Sequence, residues 1–182
     1  MSFKLKKYKH APAHLFIDKT YYFFTGAVYK KRHLLTMPKT KEIFLEKLIH
    51  FCEKYGWKLL EWVILENHYH FLAKIENSQD MPVMINSLHK TTAFHIKKEL
   101  NIEVKPFWYQ YWDRWIRDDR HYYETSTYIL YNPIKHNYVK DLNEYPFSSF
   151  PIRKREEEDN LRKYFMKYRP QDVSYYNEID DF

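Results

Sequence analysis

Trp57-Lys58-Leu59-Leu60-Glu61-Trp62-Val63-Ile64-Leu65-Glu66-Asn67-His68-Tyr69-His70-Phe71-Leu72-Ala73-Lys74-Ile75 is the stretch on which the fold rests. Trp57 to Leu65 and His68 to Ile75 read as two strands joined near Glu66-Asn67, a β-hairpin. In an extended strand, side chains two apart leave the same face, so His68 and His70 point one way. Two neutral imidazoles converging from a rigid strand can hold a divalent cation, and a cation beside a groove suits phosphate chemistry.

Working outward, residues 21–29, Tyr-Tyr-Phe-Phe-Thr-Gly-Ala-Val-Tyr, are rich in strand formers and read as a first strand, followed directly by the basic cluster Lys30-Lys31-Arg32-His33. Pro38 opens a helix with the apolar stripe Phe44, Leu48, Phe51, Cys52 and Tyr55, and Gly56 stops it. On the far side of the hairpin, Asp80 is expected to cap a second helix from about Met81 to Leu100, with Ile85, Leu88, Thr92 and Ile96 at helical spacing. Pro106 breaks the chain, and Phe107 to Arg117 reads as a fourth strand. Asp118 or Asp119 starts a third helix, expected to end at Pro133. The order β-α-β-β-α-β-α predicts an α+β fold, an antiparallel sheet with helices packed on one face, close to the ferredoxin-like arrangement. Residues 1–150 form one domain in this reading. Residues 151–182 are a charged C-terminal extension in which Glu156-Glu157-Glu158-Asp159 opens a solvated helix.

A chain of 182 residues is long enough to bury a substantial core. Its single cysteine, Cys52, excludes an intrachain disulfide and an all-cysteine zinc site, which fits a reducing, cytoplasmic setting and an ordinary core thiol. The basic N-terminus is followed only by short apolar stretches, so it does not read as a signal peptide, and no run of eighteen apolar residues predicts a membrane span. Two glycines cannot build a phosphate-binding loop or a dinucleotide fingerprint, so no nucleotide cofactor is expected. The net charge is +6, unevenly placed: residues 171–182 carry four carboxylates and no Lys or Arg. A basic body rich in aromatics suits a nucleic acid, whose phosphates attract cations while its bases stack on rings. The acidic tail would then be able to compete with that partner for the basic groove.

The third helix supplies the other half of the chemistry. Positions three, four and seven apart share a helix face, so Tyr128 lines up with His121, Glu124, Thr125 and Asn132, while Tyr122, Ser126 and Ile129 suit packing. A tyrosine followed four residues later by an amide puts a potential nucleophile beside a potential metal ligand.

Here the chain resembles a family. Leu65-Glu66-Asn67-His68-Tyr69-His70-Phe71-Leu72 is similar to the His-hydrophobic-His strand of the HUH single-tyrosine transposases. Tyr128-Ile129-Leu130-Tyr131-Asn132-Pro133-Ile134-Lys135-His136-Asn137-Tyr138-Val139 resembles the tyrosine helix of the REP-associated tyrosine transposases, and the intervening Tyr111 to Asp118 block matches as well. The resemblance spans roughly residues 15 to 150. In two places the chain departs from it: Glu66 stands where the family usually has proline, and Asn137 where it usually has glycine. Asparagine tolerates the left-handed conformation that a helix terminus often needs. Glu66 adds a carboxylate next to the implied metal.

The resemblance implies a metal-dependent single-stranded DNA endonuclease and strand transferase acting on hairpin or palindromic repeat DNA. His68 and His70 would hold Mg²⁺ or Mn²⁺ with Asn132 as the favoured third protein ligand, His121 and Glu124 competing for that role or for the phenol's proton. Imidazole donors alone lean toward zinc or manganese, so the magnesium option comes from the resemblance. Tyr128 would attack the scissile phosphate and form a 5′-phosphotyrosine intermediate. Lys30, Lys31, Arg32, Arg114 and Arg117 are candidate DNA contacts, Trp112 and Trp115 candidate stacking platforms with at least one of the two in the core. The remaining histidines, His136 among them, receive no role. A monomer is favoured over a homodimer. Two other classes compete: a hairpin-binding protein of the same fold without turnover, and a zinc or histidine-triad hydrolase, which requires a further histidine that positions 71–88 lack.

Overall fold

The computed structural model describes residues 5–6 and 14–168. Its main elements are β1 (Thr20–Val28), α1 (Pro38–Lys54), β2 (Lys58–Ile64), β3 (His68–Ile75), α2 (Met81–Leu100), β4 (Trp108–Trp115), α3 (Asp119–Lys135) and α4 (Phe150–Lys167). A two-residue ladder, Leu5–Lys6 with His14–Leu15, precedes them. The four long strands form one sheet in the order β2-β3-β1-β4, every neighbour antiparallel. This is the ferredoxin-like order, with the predicted hairpin β2–β3 on one side and the first strand at its centre.

Local chemistry sets the boundaries. Pro38 occupies the first turn of α1, where a missing N–H costs nothing. Gly56 after it has φ +66°, and Asn101 after α2 has φ +50°, left-handed positions that let each chain leave its helix. Asp118 caps α3 by accepting the His121 backbone N–H at 2.8 Å. Asp80 makes no such bond; α2 is entered from a 3₁₀ turn, Ser78–Asp80, whose own cap is Asn77.

Two further expectations are corrected. α1 and α2 do share one face, where Phe44, Leu48, Ile85 and Leu88 meet Tyr22, Phe24, Tyr69 and Phe71. α3, however, lies on the opposite face, with Ile129 and Tyr128 against Phe23, Val63, Leu65 and Leu72. The physical cause is visible in β1: Tyr22 to Val28 are all buried, so neither face of the strand is left for water. α3 also does not end at Pro133 but runs to Lys135. It closes with the Tyr138 N–H on the Pro133 carbonyl (2.9 Å) and the Asn137 N–H on that of Ile134 (2.9 Å), while Asn137 takes φ +58°. That is a Schellman ending, with asparagine in the left-handed place glycine usually fills.

The outer edge of β2 is covered by residues 147–149. The Ile64 N–H donates to the Phe147 carbonyl and the Ser149 N–H to that of Trp62, each at 2.9 Å. A register shift between Leu59 and Glu61 puts Glu61 opposite Leu72, on the α3 face. There its buried carboxylate accepts from Ser149 Oγ (2.7 Å) and Ser126 Oγ (3.2 Å) and pairs with Arg153 (2.9 Å), tying α3 and α4 to the sheet. Cys52 is a core thiol as expected, and burial pushes its pKa up to about 12. No described helix is long and apolar enough to cross a membrane. The acidic segment 171–182, and with it the proposed competition with a nucleic acid, lies outside the described residues.

Candidate active site

Because β3 is central, His68 and His70 are presented on a rigid, doubly covered strand and are both buried. Their rings are 5.0 Å apart between centroids. Across the ladder on β1, His68 faces Ala27 and His70 faces Thr25. Asn67 Oδ1 lies 2.6 Å from His68 Nδ1, and an amide oxygen only accepts, so that nitrogen carries the proton and Nε2 the lone pair. Thr25 Oγ1 stands 2.6 Å from His70 Nδ1, a hydroxyl able to accept that nitrogen's proton and leave Nε2 its lone pair. A ring nitrogen anchored to a neighbour while the other presents its lone pair is how a metal-binding histidine is oriented.

α3 crosses this face. The Tyr128 ring is 5.3 Å from that of His70, and the His136 ring is 5.1 Å from that of His68. Phe23 stacks on His70 at 5.5 Å and meets Tyr128 edge-on at 6.0 Å, wedging the phenol in place. Asn132 lies midway along the same helical stripe, fully buried. Its amide N–H donates to the Tyr128 carbonyl at 3.0 Å, and its Oδ1 has no hydrogen-bond partner among the described residues. A buried acceptor left so costs about 1–3 kcal/mol unless something fills it. Two imidazoles and an amide oxygen are a donor set able to hold a divalent ion, one that suits manganese or zinc better than magnesium. No three His, Cys, Asp or Glu side chains among the described residues are arranged to hold an ion, so His136 does not complete a zinc triad with the pair.

The other candidates fall elsewhere. His121 accepts the Arg117 backbone N–H on Nδ1 at 3.3 Å, two helical turns before Tyr128; burial, then Arg117 and Arg114, lower its pKa. Glu124 pairs with Arg120 at 2.7 Å. The Glu66 carboxylate sits 2.9 Å from His33 Nδ1. Lys30 and Lys31 are exposed at the end of β1 nearest His68, whereas exposed Arg117 follows β4 at the opposite end of β1. Arg32 bonds the carbonyls of Tyr29 and Pro106, so it braces the loop. Arg114 and Trp112 are half-buried on the α3 face, opposite Phe23 and Thr25. Trp115 faces the other core and donates to Thr20 Oγ1 at 3.3 Å, the packing role expected of one of the two tryptophans.

Sequence reasoning missed five neighbours: Phe23, Asn67, Thr25, His136 and Lys135, whose ammonium is 5.0 Å from the centre of the Tyr128 ring. His136 was findable, since it repeats the four-residue step from Tyr128 to Asn132.

Comparison with known proteins decides the family. The chain matches the model for IS200-like transposases over residues 17–131, more than half its length and including His68, His70 and Tyr128. It belongs to the IS200-like transposase family. Two relatives carry a narrower name. A Haemophilus influenzae protein assigned to the REP-associated tyrosine transposases is 30% identical over 109 residues, which is 54% of this chain and 62% of that protein. The Escherichia coli REP-associated tyrosine transposase is 29% identical over 92 residues, 49% of this chain and 52% of that protein. The chain thus spans only half to three-fifths of the length of these transposases. Among solved structures, a REP-associated tyrosine transposase bound to a REP hairpin matches with a TM-score of 0.63 and 23% identity, covering 86% of this chain and 87% of that one. At that identity the likeness establishes the transposase fold.

Proposed function

We propose that this IS200-like transposase nicks and rejoins single-stranded DNA at hairpin or palindromic repeats, with Tyr128 as nucleophile. The observation that carries the reading is the 5.3 Å approach of the Tyr128 ring to His70, which sets a phenol beside the paired imidazoles on one face of the sheet. The hairpin substrate is supported by the relatives' names and by the REP hairpin in the similar solved structure.

Tyr128 Oη would attack phosphorus in line, giving up its proton to solvent and forming a P–O bond to the phenol as the bond to the 3′ oxygen breaks; the 3′ oxygen leaves with the electron pair and takes up a proton from solvent. One phosphoester replaces another, so the step is reversible and needs no nucleotide cofactor. A phenol titrates near pH ~10 and is a poor nucleophile at neutrality without help. The Lys135 ammonium lies 5.0 Å from the centre of the Tyr128 ring, a cation–π contact that helps hold the ring. Phe23 and His70 restrict the ring, so little orientation remains to be lost on the way to attack. His68, His70 and Asn132 would hold the divalent ion, which when bound withdraws charge from the non-bridging phosphate oxygens.

The test is to incubate the protein with labelled hairpin-bearing single-stranded DNA and Mn²⁺ and look for a protein–DNA adduct that survives denaturant. Adduct with the native chain and none with Tyr128→Phe, binding retained, supports the reading. An adduct from Tyr128→Phe rejects the nucleophile, and binding with no cleavage by the native chain makes this a hairpin-binding protein.

A further inference from the structure

Beside the catalytic face is a second feature that the nicking chemistry does not use. Ala27, Val28, Tyr29, Lys30, Lys31 and Tyr109 line an open depression of about 190 Å³. Its two walls are phenol rings, Tyr29 and Tyr109, 6.1 Å apart at 42°, a wedge rather than a closed stack. Tyr109 is 44% exposed, a large ring held at the surface with no core to fill. Tyr29 is fixed from behind: its N–H donates to the Phe107 carbonyl at 2.8 Å, its carbonyl accepts from Arg32 Nε at 2.9 Å, and the Arg32 guanidinium lies 5.8 Å from its ring centre. The rim is cationic. Lys30 and Lys31, both exposed, take φ +58° and +52°, so two successive residues with side chains adopt a conformation that L-residues avoid. Such strain persists where the surroundings enforce it, and it gathers at binding sites.

Position gives the depression its meaning. Ala27, in its floor, is the cross-strand partner of His68, so the wedge and the histidine pair are one strand apart on the same face of the sheet. Trp112, 5.8 Å from Tyr109, continues the aromatic surface, and Arg114 follows on the same strand and face. A flat apolar ligand with an adjoining anion suits such a site: aromatic rings take its face and two ammonium groups its charge.

We propose that the Tyr29–Tyr109 wedge binds one unpaired nucleobase of the DNA strand, within a nucleotide or two of the phosphate held at the histidine pair, and so sets which phosphate Tyr128 reaches. The inference rests on the nicking reading and deepens it. Lys30 and Lys31 grip the flanking backbone, and Arg32 acts as the brace that keeps the wedge open.

The experiment uses full-length Tyr128→Phe protein, which leaves the strand uncut, and hairpin oligonucleotides carrying 2-aminopurine at each unpaired position in turn. Fluorescence should be quenched strongly at one position near the cleavage point. Tyr109→Leu in the same background should abolish that quench and weaken binding roughly tenfold, whereas Tyr109→Phe, which keeps the ring, should preserve both. Absence of any quenched position, or a quench that survives Tyr109→Leu, overturns the wedge. The adduct assay with the native chain separates the two readings: an adduct without a Tyr109-dependent quench leaves nicking intact and removes the base site, while failure to bind DNA removes both.

Discussion

Gly26 and Tyr69 are packed so closely across the β1–β3 ladder that a Cβ on Gly26 would fall 2.5 Å from the Tyr69 hydroxyl and 2.6 Å from two of its ring carbons. Tyr69 lies between the two candidate metal ligands in sequence, and its ring fills the core under α1 and α2. Gly26→Ala must therefore push the tyrosine or the strand that carries His68 and His70. We expect a loss of about 1–3 kcal/mol in urea unfolding, as overpacked cores show, and a drop in adduct yield. Gly26→Ala combined with Tyr69→Leu should cost less than the sum of the single changes, and strict additivity would refute the clash.

Asn132 is the residue whose stability and binding effects should part company. Asn132→Ala loses the bond to the Tyr128 carbonyl but also removes an acceptor buried without a hydrogen-bond partner among the described residues, so the two offset and the fold should lose little. Mn²⁺ binding should weaken instead. Thermal unfolding with and without Mn²⁺ reads both at once: the ion should raise the melting temperature of the native chain and shift that of Asn132→Ala far less. Equal shifts would remove Asn132 from the ligand set.

The hairpin and the bounds of α1 were legible because they rest on local signals, strand formers flanking Glu66-Asn67 and Pro38 and Gly56 as punctuation, whereas the pairing of the His68–His70 strand with the Tyr128 helix came from the resemblance. What stayed hidden is three-dimensional. A helical stripe does not say which face of a sheet it covers, although the unbroken burial of Tyr22 to Val28 records that both are taken. His136 is invisible from the sequence around His70, because its ring arrives from the residue that closes α3. Arg32 reads in the sequence as one of a basic cluster, and only the structure gives it the carbonyls of Tyr29 and Pro106 as partners. Charge is readable in a sequence; what a charge is already bonded to is not.

Arg153 balances a carboxylate that water cannot reach. Glu61 is 1% exposed, and burial raises its pKa despite Arg153, Ser149 and Ser126. Replacing the arginine by methionine leaves that acid unpaired and should cost about 3 kcal/mol at pH 7. The cost should shrink toward pH 5, because a buried acid without its partner takes up a proton. Urea unfolding of Arg153→Met at the two pH values checks this; an equal loss at both would mean that the guanidinium acts through packing alone.

His89 should make the fold acid-sensitive. It lies on α2, half-buried against the core, stacked on Trp108 at 4.8 Å with its Nε2 2.8 Å from the Tyr69 hydroxyl, and desolvation there lowers its pKa to about 3. The folded chain thus keeps this ring neutral where the unfolded chain, titrating near ~6.5, has already protonated it. The unfolded state binds the extra proton, so the stability is fully present above pH ~6.5 and is lost as pH falls toward about 3, by about 1.4 kcal/mol per pH unit. The buried His121, its pKa also lowered, adds in the same direction, and Glu61, its pKa raised, opposes both. Comparing the native chain with His89→Gln isolates the one ring, since glutamine still offers the Tyr69 hydroxyl an acceptor. Urea midpoints measured at pH 7, 6 and 5 should fall more steeply for the native chain, and parallel lines would show that His89 takes up its proton in the folded state.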